Sequence, residues 1–448
     1  MSVEPEAGSA QAAPADRGEP VRDSAGRDSA VRDSAGRDQA GQAVPPFAPL
    51  RRRDFRILVG GQSLSTLGDM VYLVALPFLI LGAGYAISGL SLTLTGFGLA
   101  RIVTALPGGM LADRFGARPV MLWADVVRCA ALTALTATAA RGTPALAQLV
   151  ITGVLLGACE GAHLPAYRSI TPILVPDAEL PAANTISIAT NLFANVIGPP
   201  IGGALVAVLA PWPAVGVDAA SFAVSALALM AMSHRPRPGA VTNPSPATTE
   251  LPIRPLSLAA FVRSSPLYRT VLLMTAVLGA SVGGTLEVAL PVLTRTRPDL
   301  GPSGYGWLMA ALGAGMLTGG ASAGPLLSRH RQGLIVITAL AVNGTLLATL
   351  PHAGGLLPMA ATMTLIGALD GVLAVLVMTA TQRMPPPHLL ARAQALISLV
   401  TFAMFPLSVS VAGLVLYHWP PAAMFHLTGL GFAAVAVCGL ASRSLRRL

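Results

Sequence analysis

The sequence predicts an all-α membrane protein of twelve transmembrane helices arranged as two pseudo-symmetric six-helix bundles. Hydrophobic residues fill 53% of its 448 positions and charged residues only 11%, with a mean hydropathy of +0.67. That composition lies outside the range of a soluble globular domain. From about Ile57 onward the chain falls into apolar stretches of roughly 20 residues, each long enough to cross the hydrocarbon core as a helix. Its arginines crowd into alternate connections between those stretches.

The spans read as 57–81, 88–110, 118–140, 146–168, 183–209, 213–233, 268–294, 303–327, 332–350, 356–380, 392–417 and 420–440. A β-barrel requires segments of about ten residues alternating apolar and polar. No stretch here alternates in that way, and backbone groups in lipid must be satisfied within the element, which leaves helices.

Residues 1–50 form a polar segment in which Arg-Asp pairs recur at Arg22, Arg27, Arg32 and Arg37. With almost no large apolar side chains it is expected to be a disordered cytoplasmic tail. It lacks the apolar core of a signal peptide, so the first span is expected to be retained. Residues 51–233 then carry the first six-helix bundle and 234–265, rich in Pro, Ser, Thr and Arg, a cytoplasmic linker. Residues 266–448 carry the second bundle with a short basic tail.

The formal net charge of +9 comes from 29 arginines with no lysine. Basic charge raises the possibility of nucleic acid, but its placement argues against one. With a cytoplasmic N-terminus, nineteen arginines from Arg51 to Arg447 fall on the cytoplasmic side, and only Arg141, Arg295 and Arg297 on the other. This is the positive-inside asymmetry, which predicts a multi-pass protein of the cytoplasmic (inner) membrane with both termini in the cytoplasm. The lipid bilayer is therefore the expected partner, and no nucleic acid.

The two halves repeat weakly. Leu73–Leu79 (LVALPFL) matches Glu287–Leu293 (EVALPVL) at an offset of 214, and Gly109–Arg114 (GMLADR) matches Gly324–Arg329 (GPLLSR) at 215. Parallel repeats of six helices mark transporters in which two bundles rock about a site near the midplane.

Between the second and third spans stands Gly109-Met-Leu-Ala-Asp113-Arg114-Phe-Gly116-Ala-Arg118. The glycines permit a tight turn, and Asp113, Arg114 and Arg118 can form a charge network that holds the two bundles together on one side and releases them on the other. In the second half Ser328 stands where Asp113 does, while Arg329 and Arg331 remain. The fifth span contains Gly198-Pro199-Pro200-Ile-Gly202-Gly203, small residues that let helix backbones touch beside prolines that bend the helix.

The Gly109–Arg118 loop resembles the signature loop of the major facilitator superfamily, and Gly198–Gly203 is similar to the GPxxGG motif of its exporting antiporters. The run from Arg53 to Asp69, Leu164-Pro165-Ala166, Val175-Pro176, Ala183-Asn184 and Asp218-Ala-Ala-Ser221-Phe222 resemble the macrolide-efflux and enterobactin-exporter branch. The resemblance covers roughly residues 50–440. It implies efflux of bulky amphipathic compounds, a drug, antibiotic or natural product, in exchange for protons by alternating access, with a role in multidrug resistance. One departure is that Ala158-Cys159-Glu160-Gly161 replaces the arginine that many drug:proton antiporters carry in the fourth span.

Ionisable residues at membrane depth cost at least about 2.5 kcal/mol each, so each needs a partner or a task. Asp125 and Arg128, three apart on one helix, are expected to neutralise each other. For Asp218 a structural hydrogen bond is expected ahead of proton transfer, the alternative role. Arg101 is expected to neutralise an acid across the bundle, and Glu160 to pair with either Arg168 or Arg101. Asp69, Glu160, Glu287 and Asp370 lie in spans 1, 4, 7 and 10. In the resembled fold these helices line the central cavity, so the four acids are the expected proton-coupling or substrate residues. Excess acid biases the cargo toward cations or zwitterions; the counter-case is that Arg101 neutralises the acids and the cargo is neutral or anionic.

Cys129, Cys159 and Cys438 read as small core hydrophobes, with no disulfide framework. His163, His352, His418 and His426 are scattered, without metal-ligand spacing. No P-loop occurs. The expectations are therefore no cofactor, no metal, no enzymatic activity and a monomer, with a nutrient importer or facilitator of the same fold as the competing function and a non-transporting membrane receptor or enzyme as the remaining one.

Overall fold

The structure is a computed structural model that describes residues 45–233, 258–326, 332–386 and 389–441. The expected N-terminal tail, most of the linker, the Ser328–Arg331 loop and the basic C-terminal tail lie outside those residues. The described chain forms helices and no strand. Its long helices are α1 (Arg53–Gly82), α2 (Ile87–Phe115), α3 (Ala117–Arg141), α4 (Leu146–Leu174), α5 (Leu180–Val208) and α6 (Pro211–Ala231). The second series is α7 (Pro266–Thr296), α8 (Gly301–Ser322), α9 (Gln332–Thr349), α10 (Leu356–Arg383), α11 (Leu390–His418) and α12 (Ala422–Ala441).

Eleven of these, among the described residues, are long and apolar enough to cross a membrane. The exception is α8, where seven of 22 residues are glycine and dilute the hydropathy. Those glycines are used for contact. Backbone carbonyls of Thr364 and Ala368 on α10 stand where a Cβ on Gly315 or Gly319 would be, and Pro199 of α5 does the same to Gly306. Between helices in lipid there is little hydrophobic drive, so such close approach supplies the attraction.

Helix pairing repeats at an interval of six. α2 packs on α4 as α8 does on α10, α1 on α5 as α7 on α11, and α3 on α6 as α9 on α12. The halves meet through α2 against α11 and α5 against α8. Large apolar side chains such as Trp123, Val208 and Leu357 point outward at 69%, 81% and 83% exposure. For a soluble protein that belt is a liability; in a bilayer acyl chains would cover it.

The helices define two ends. The near end holds the start of α1, the α2–α3 turn and the end of α12; the far end is opposite. At the near end Arg52 pairs with Glu179 at 2.9 Å, and Arg53 donates to Ser233 Oγ at 2.6 Å. At the far end the halves close on each other. Thr95 and Ser410 hydroxyls are 3.0 Å apart and Phe78 packs on Tyr305 at 6.1 Å, while within the second half Tyr305 Oη donates to the Leu286 carbonyl at 3.2 Å.

α7 is not a uniform helix. Residues Ser281–Ala289 run as a π-helix between two α-helical segments. Gly283 and Gly284 press against Phe405 and Ser408 of α11. Ser408 Oγ donates to the Ala280 carbonyl and accepts from the Gly284 amide at 2.8 Å, satisfying groups that the wider turn releases.

Candidate functional site

A cavity of about 410 Å³ lies between the halves. α1 lines it with Gln62, Thr66, Asp69 and Tyr72, and α5 with Asn191 and Asn195, four apart and so on one face. Arg101 comes from α2, Arg128 from α3, and Glu160 and His163 from α4. The second half supplies Glu287 from α7 and Phe405 from α11. Because Glu287 stands in the π segment, the changed helical register sets its direction. Phe97 and Phe405 meet edge-on across the halves at 6.1 Å.

The structure thus brings together three of the four expected acids, Asp69, Glu160 and Glu287. Asp370 is placed elsewhere. Its Oδ1 accepts from Asn343 Nδ2 at 2.7 Å, between α9 and α10, and it does not line the cavity. The reason is azimuthal: Gly367 and Gly371, four apart, press on Leu312 and Met316 of α8, and Asp370 faces away from that contact toward α9.

Each cation is committed. Arg101 pairs with Glu160 at 3.1 Å and lies 4.6 Å from the Phe402 ring centroid on the opposite half. Arg168 is not Glu160's partner. Arg128 bonds Asp125 at 2.7 Å and stacks over Phe222 at 4.2 Å, while Ser225 Oγ donates to the other Asp125 oxygen at 2.7 Å. His163 Nε2 stands 3.7 Å from Asp125, beyond hydrogen bonding. Asp69 and Glu287 have no ion-pair partner among the described residues.

Several polar atoms around the cavity are buried without a partner: Gln62 Oε1, Tyr72 Oη, Arg128 Nε and His163 Nε2. Unmade hydrogen bonds of this kind cost about 1–3 kcal/mol each, so they mark capacity for cargo or water. Arg128 and His163 were not foreseen as cavity residues. A second cavity of about 460 Å³ shares Arg101 and Leu164 with the first and runs along α2 and α4 to Arg168 and Ser169, toward the near end.

The other motifs are also placed. Gly116, at φ +91°, makes the turn between α2 and α3. Arg118 caps the end of α6, donating to the carbonyls of Leu229 at 2.8 Å and Met230 at 2.9 Å. Asp113 and Arg114 are exposed, and Asp113 makes no ion pair among the described residues, so the expected Asp113–Arg114–Arg118 network is not formed in this conformation. Gly109 lies 3.8 Å, by its Cβ position, from Pro165 of α4. In α5, Gly198 packs on Met70 and Gly202 on Val71 of α1, whereas Gly203 meets Pro302 and Ser303 of α8 and the Pro199 carbonyl meets Gly306. The motif therefore sits where α1, α5 and α8 cross.

Two readings of scattered residues change. His352 and His426, 74 residues apart, meet with their Nε2 atoms at 3.1 Å and rings stacked. Cys438 is exposed on the outer surface rather than in a core. Among the described residues no three His, Cys, Asp or Glu side chains could hold a metal together.

Comparison with known proteins agrees with this architecture. The family model described as Major Facilitator Superfamily matches residues 58–408. The chain is 29% identical over 313 residues to the enterobactin exporter EntS of Escherichia coli O9:H4 (strain HS), covering 69% of this chain and 71% of that one, and equally to EntS of Escherichia fergusonii. Among solved structures, the nucleoside transporter NupG superposes with a TM-score of 0.68 at 12% identity, over 87% of this chain and 98% of that one. A POT family transporter in complex with 5-aminolevulinic acid gives 0.69 at 13%, over 88% and 97%. A bacterial homologue of the iron transporter ferroportin in an inward-facing state gives 0.62 at 15%, over 87% and 99%. At such identities the likeness shows the fold alone. The chain belongs to the Major Facilitator Superfamily and is a multi-pass membrane transporter.

Proposed function

We propose that this transporter exports a small amphipathic cation or zwitterion across the cytoplasmic membrane in exchange for protons. The observation that carries the reading is the pair Asp69 and Glu287, one on each half, both in the cavity and both without a cation, while Arg101 and Arg128 are spent on Glu160 and Asp125. A carboxylate that must be neutralised in a desolvated site takes either a proton or a cationic cargo, and competition between the two is antiport. Apolar side chains such as Leu73, Leu94, Leu156 and Phe405 give that cargo its apolar contacts. The volume falls in the range of about 300–1,000 Å³ typical of drug-sized ligands. Similarity to enterobactin exporters supports the outward direction.

The arginine asymmetry supports placing the near end in the cytoplasm. Far-end closure and the vestibule at the near end then read as an inward-facing state, ready to load. Export proceeds as residues 51–233 and 266–448 rock as two bundles, opening the Thr95–Ser410 contact and closing the Gly109–Arg118 loop, so that Asp113 meets an ion-pair partner on the closed side. The protein acts as a monomer without a cofactor. The test uses everted membrane vesicles carrying the protein, an acid-inside gradient, and a panel of ethidium, erythromycin and enterobactin. Accumulation that collapses with the gradient and is lost in Asp69→Asn supports the reading; accumulation of a panel member that is independent of the gradient refutes it.

A further inference from the structure

Two side chains account for the backbone groups that the wide turn of α7 leaves unpaired. In an α-helix the Gly284 amide would donate to the Ala280 carbonyl, four residues back. Ser408 Oγ of α11 stands between those two groups: it donates to the Ala280 carbonyl and accepts from the Gly284 amide at 2.8 Å. One hydroxyl therefore replaces one bond of the α ladder, and the π segment begins at the next residue, Ser281. Gly284 lets the hydroxyl in, since a Cβ there would lie 2.6 Å from Ser408 Oγ.

At the other end the Leu290 amide donates to the Thr285 carbonyl, five residues back, instead of to Leu286. That frees the Leu286 carbonyl, and Tyr305 Oη of α8 donates to it at 3.2 Å. Between the two clips the Thr285 and Thr428 hydroxyls, 2.6 Å apart, tie the same register to α12. Glu287, the carboxylate that the second half brings to the cavity, stands inside this bracket. In an α-helix one residue of register is a rotation of about 100°, enough to carry a side chain off the cavity face.

Both clips sit on helices that touch the first half at the closed far end. Tyr305 itself packs on Phe78, and Phe405, three residues before Ser408, meets Phe97 edge-on, each at 6.1 Å. We propose that Ser408 and Tyr305 are positioning residues whose hydroxyls hold α7 open over Ser281–Ala289 and so aim Glu287 into the cavity while the far end is closed. When that end opens, both helices leave the first half, the Ala280–Gly284 and Leu286–Leu290 bonds form, and Glu287 turns away from the cargo. The inference takes the task of Glu287 from the antiport reading and adds what sets its direction.

Thiol labelling reads that direction without cargo or gradient. In the full chain with Cys129, Cys159 and Cys438 replaced by Ala, Leu286→Cys, Glu287→Cys and Val288→Cys are made singly and exposed in detergent to a methanethiosulfonate reagent. Ser408→Ala is expected to slow labelling of Glu287→Cys about tenfold, the weight of one net hydrogen bond, and to speed it at one of the two neighbours. Tyr305→Phe keeps the ring on Phe78 and is expected to move both rates in the same directions, which covers a folding defect in Ser408→Ala seen by size-exclusion chromatography. Ser408→Thr keeps a hydroxyl and is expected to restore the original pattern. Labelling at 287 that is indifferent to both changes, or rates that rise or fall at all three positions together, overturns the assignment. Failure of the antiport reading shows instead as transport independent of the gradient and leaves this labelling pattern unmoved.

Discussion

Replacing Arg128 by Met isolates the charge design beneath the cavity. Asp125 is 0% exposed and Arg128 5%, and they are 2.7 Å apart. Asp125 keeps only Ser225 when the guanidinium goes, and breaking one side of a buried pair costs about 3–5 kcal/mol because it leaves an uncompensated buried charge. The converse change is milder. Arg128 keeps the Phe222 ring, and an asparagine at 125 still offers it an oxygen, so Asp125→Asn is expected to cost about 1–2 kcal/mol. The double variant, Asp125→Asn with Arg128→Met, carries no ion at all and is expected within about 2 kcal/mol of the wild type, a coupling of at least about 2 kcal/mol. Unfolding in mixed micelles by increasing SDS measures all four proteins. Effects additive within about 0.5 kcal/mol, or equal costs for the two single changes, refute the assignment of the buried charge to Asp125.

Other changes act on contacts that the structure makes specific. Gly157→Val adds a side chain where the Phe97 carbonyl of α2 lies, and is expected to lower the folded yield of protein extracted from membranes, read by size-exclusion chromatography. Arg118→Ala removes two charge-assisted hydrogen bonds to the end of α6 and is expected to destabilise by about 1–3 kcal/mol in the same SDS titration; an unchanged midpoint contradicts the capping role. Thr95→Cys with Ser410→Cys places two thiols where hydroxyls are 3.0 Å apart, so oxidation should lock the far end and stop transport, with recovery on reduction. Asp370→Asn keeps a partner for Asn343 and is expected to leave the cargo gradient unchanged; loss of coupling there contradicts its place outside the cavity.

The fold was legible because its causes act locally along the chain. Span length, the arginine count per connection and the repeat offset each depend on a few consecutive residues, and lipid permits little besides helices. α8 still reads as a span, 303–327, although glycines that serve close packing also lower its hydropathy. Site residues were less legible because composition places a residue at a depth, not at an azimuth. Asp370 has the right depth in the right helix, yet the glycines beside it turn that face to α8 and send the carboxyl to Asn343. Asn343, the one amide side chain in the apolar stretch 333–350, was a signal that such a partner existed. The spacing of Asn191 and Asn195 likewise marked a polar face on α5. The π segment of α7 had a weaker signal, Gly283-Gly284, because its other half is Ser408, 124 residues away from Gly284. His352 and His426 meet only through tertiary packing, which no spacing rule reaches.

The direct test of the central claim is the proton count. In liposomes loaded with a pH-sensitive dye, cargo added on one side should move protons to that side. For a monovalent cation, one-for-one exchange is electroneutral and sustains a cargo gradient of about tenfold per pH unit, since each unit is about 1.4 kcal/mol. The account predicts that gradient in the wild type, insensitive to membrane potential, and its loss in Asp69→Asn. Cargo that equilibrates with no proton movement, at the same rate in both proteins, contradicts it.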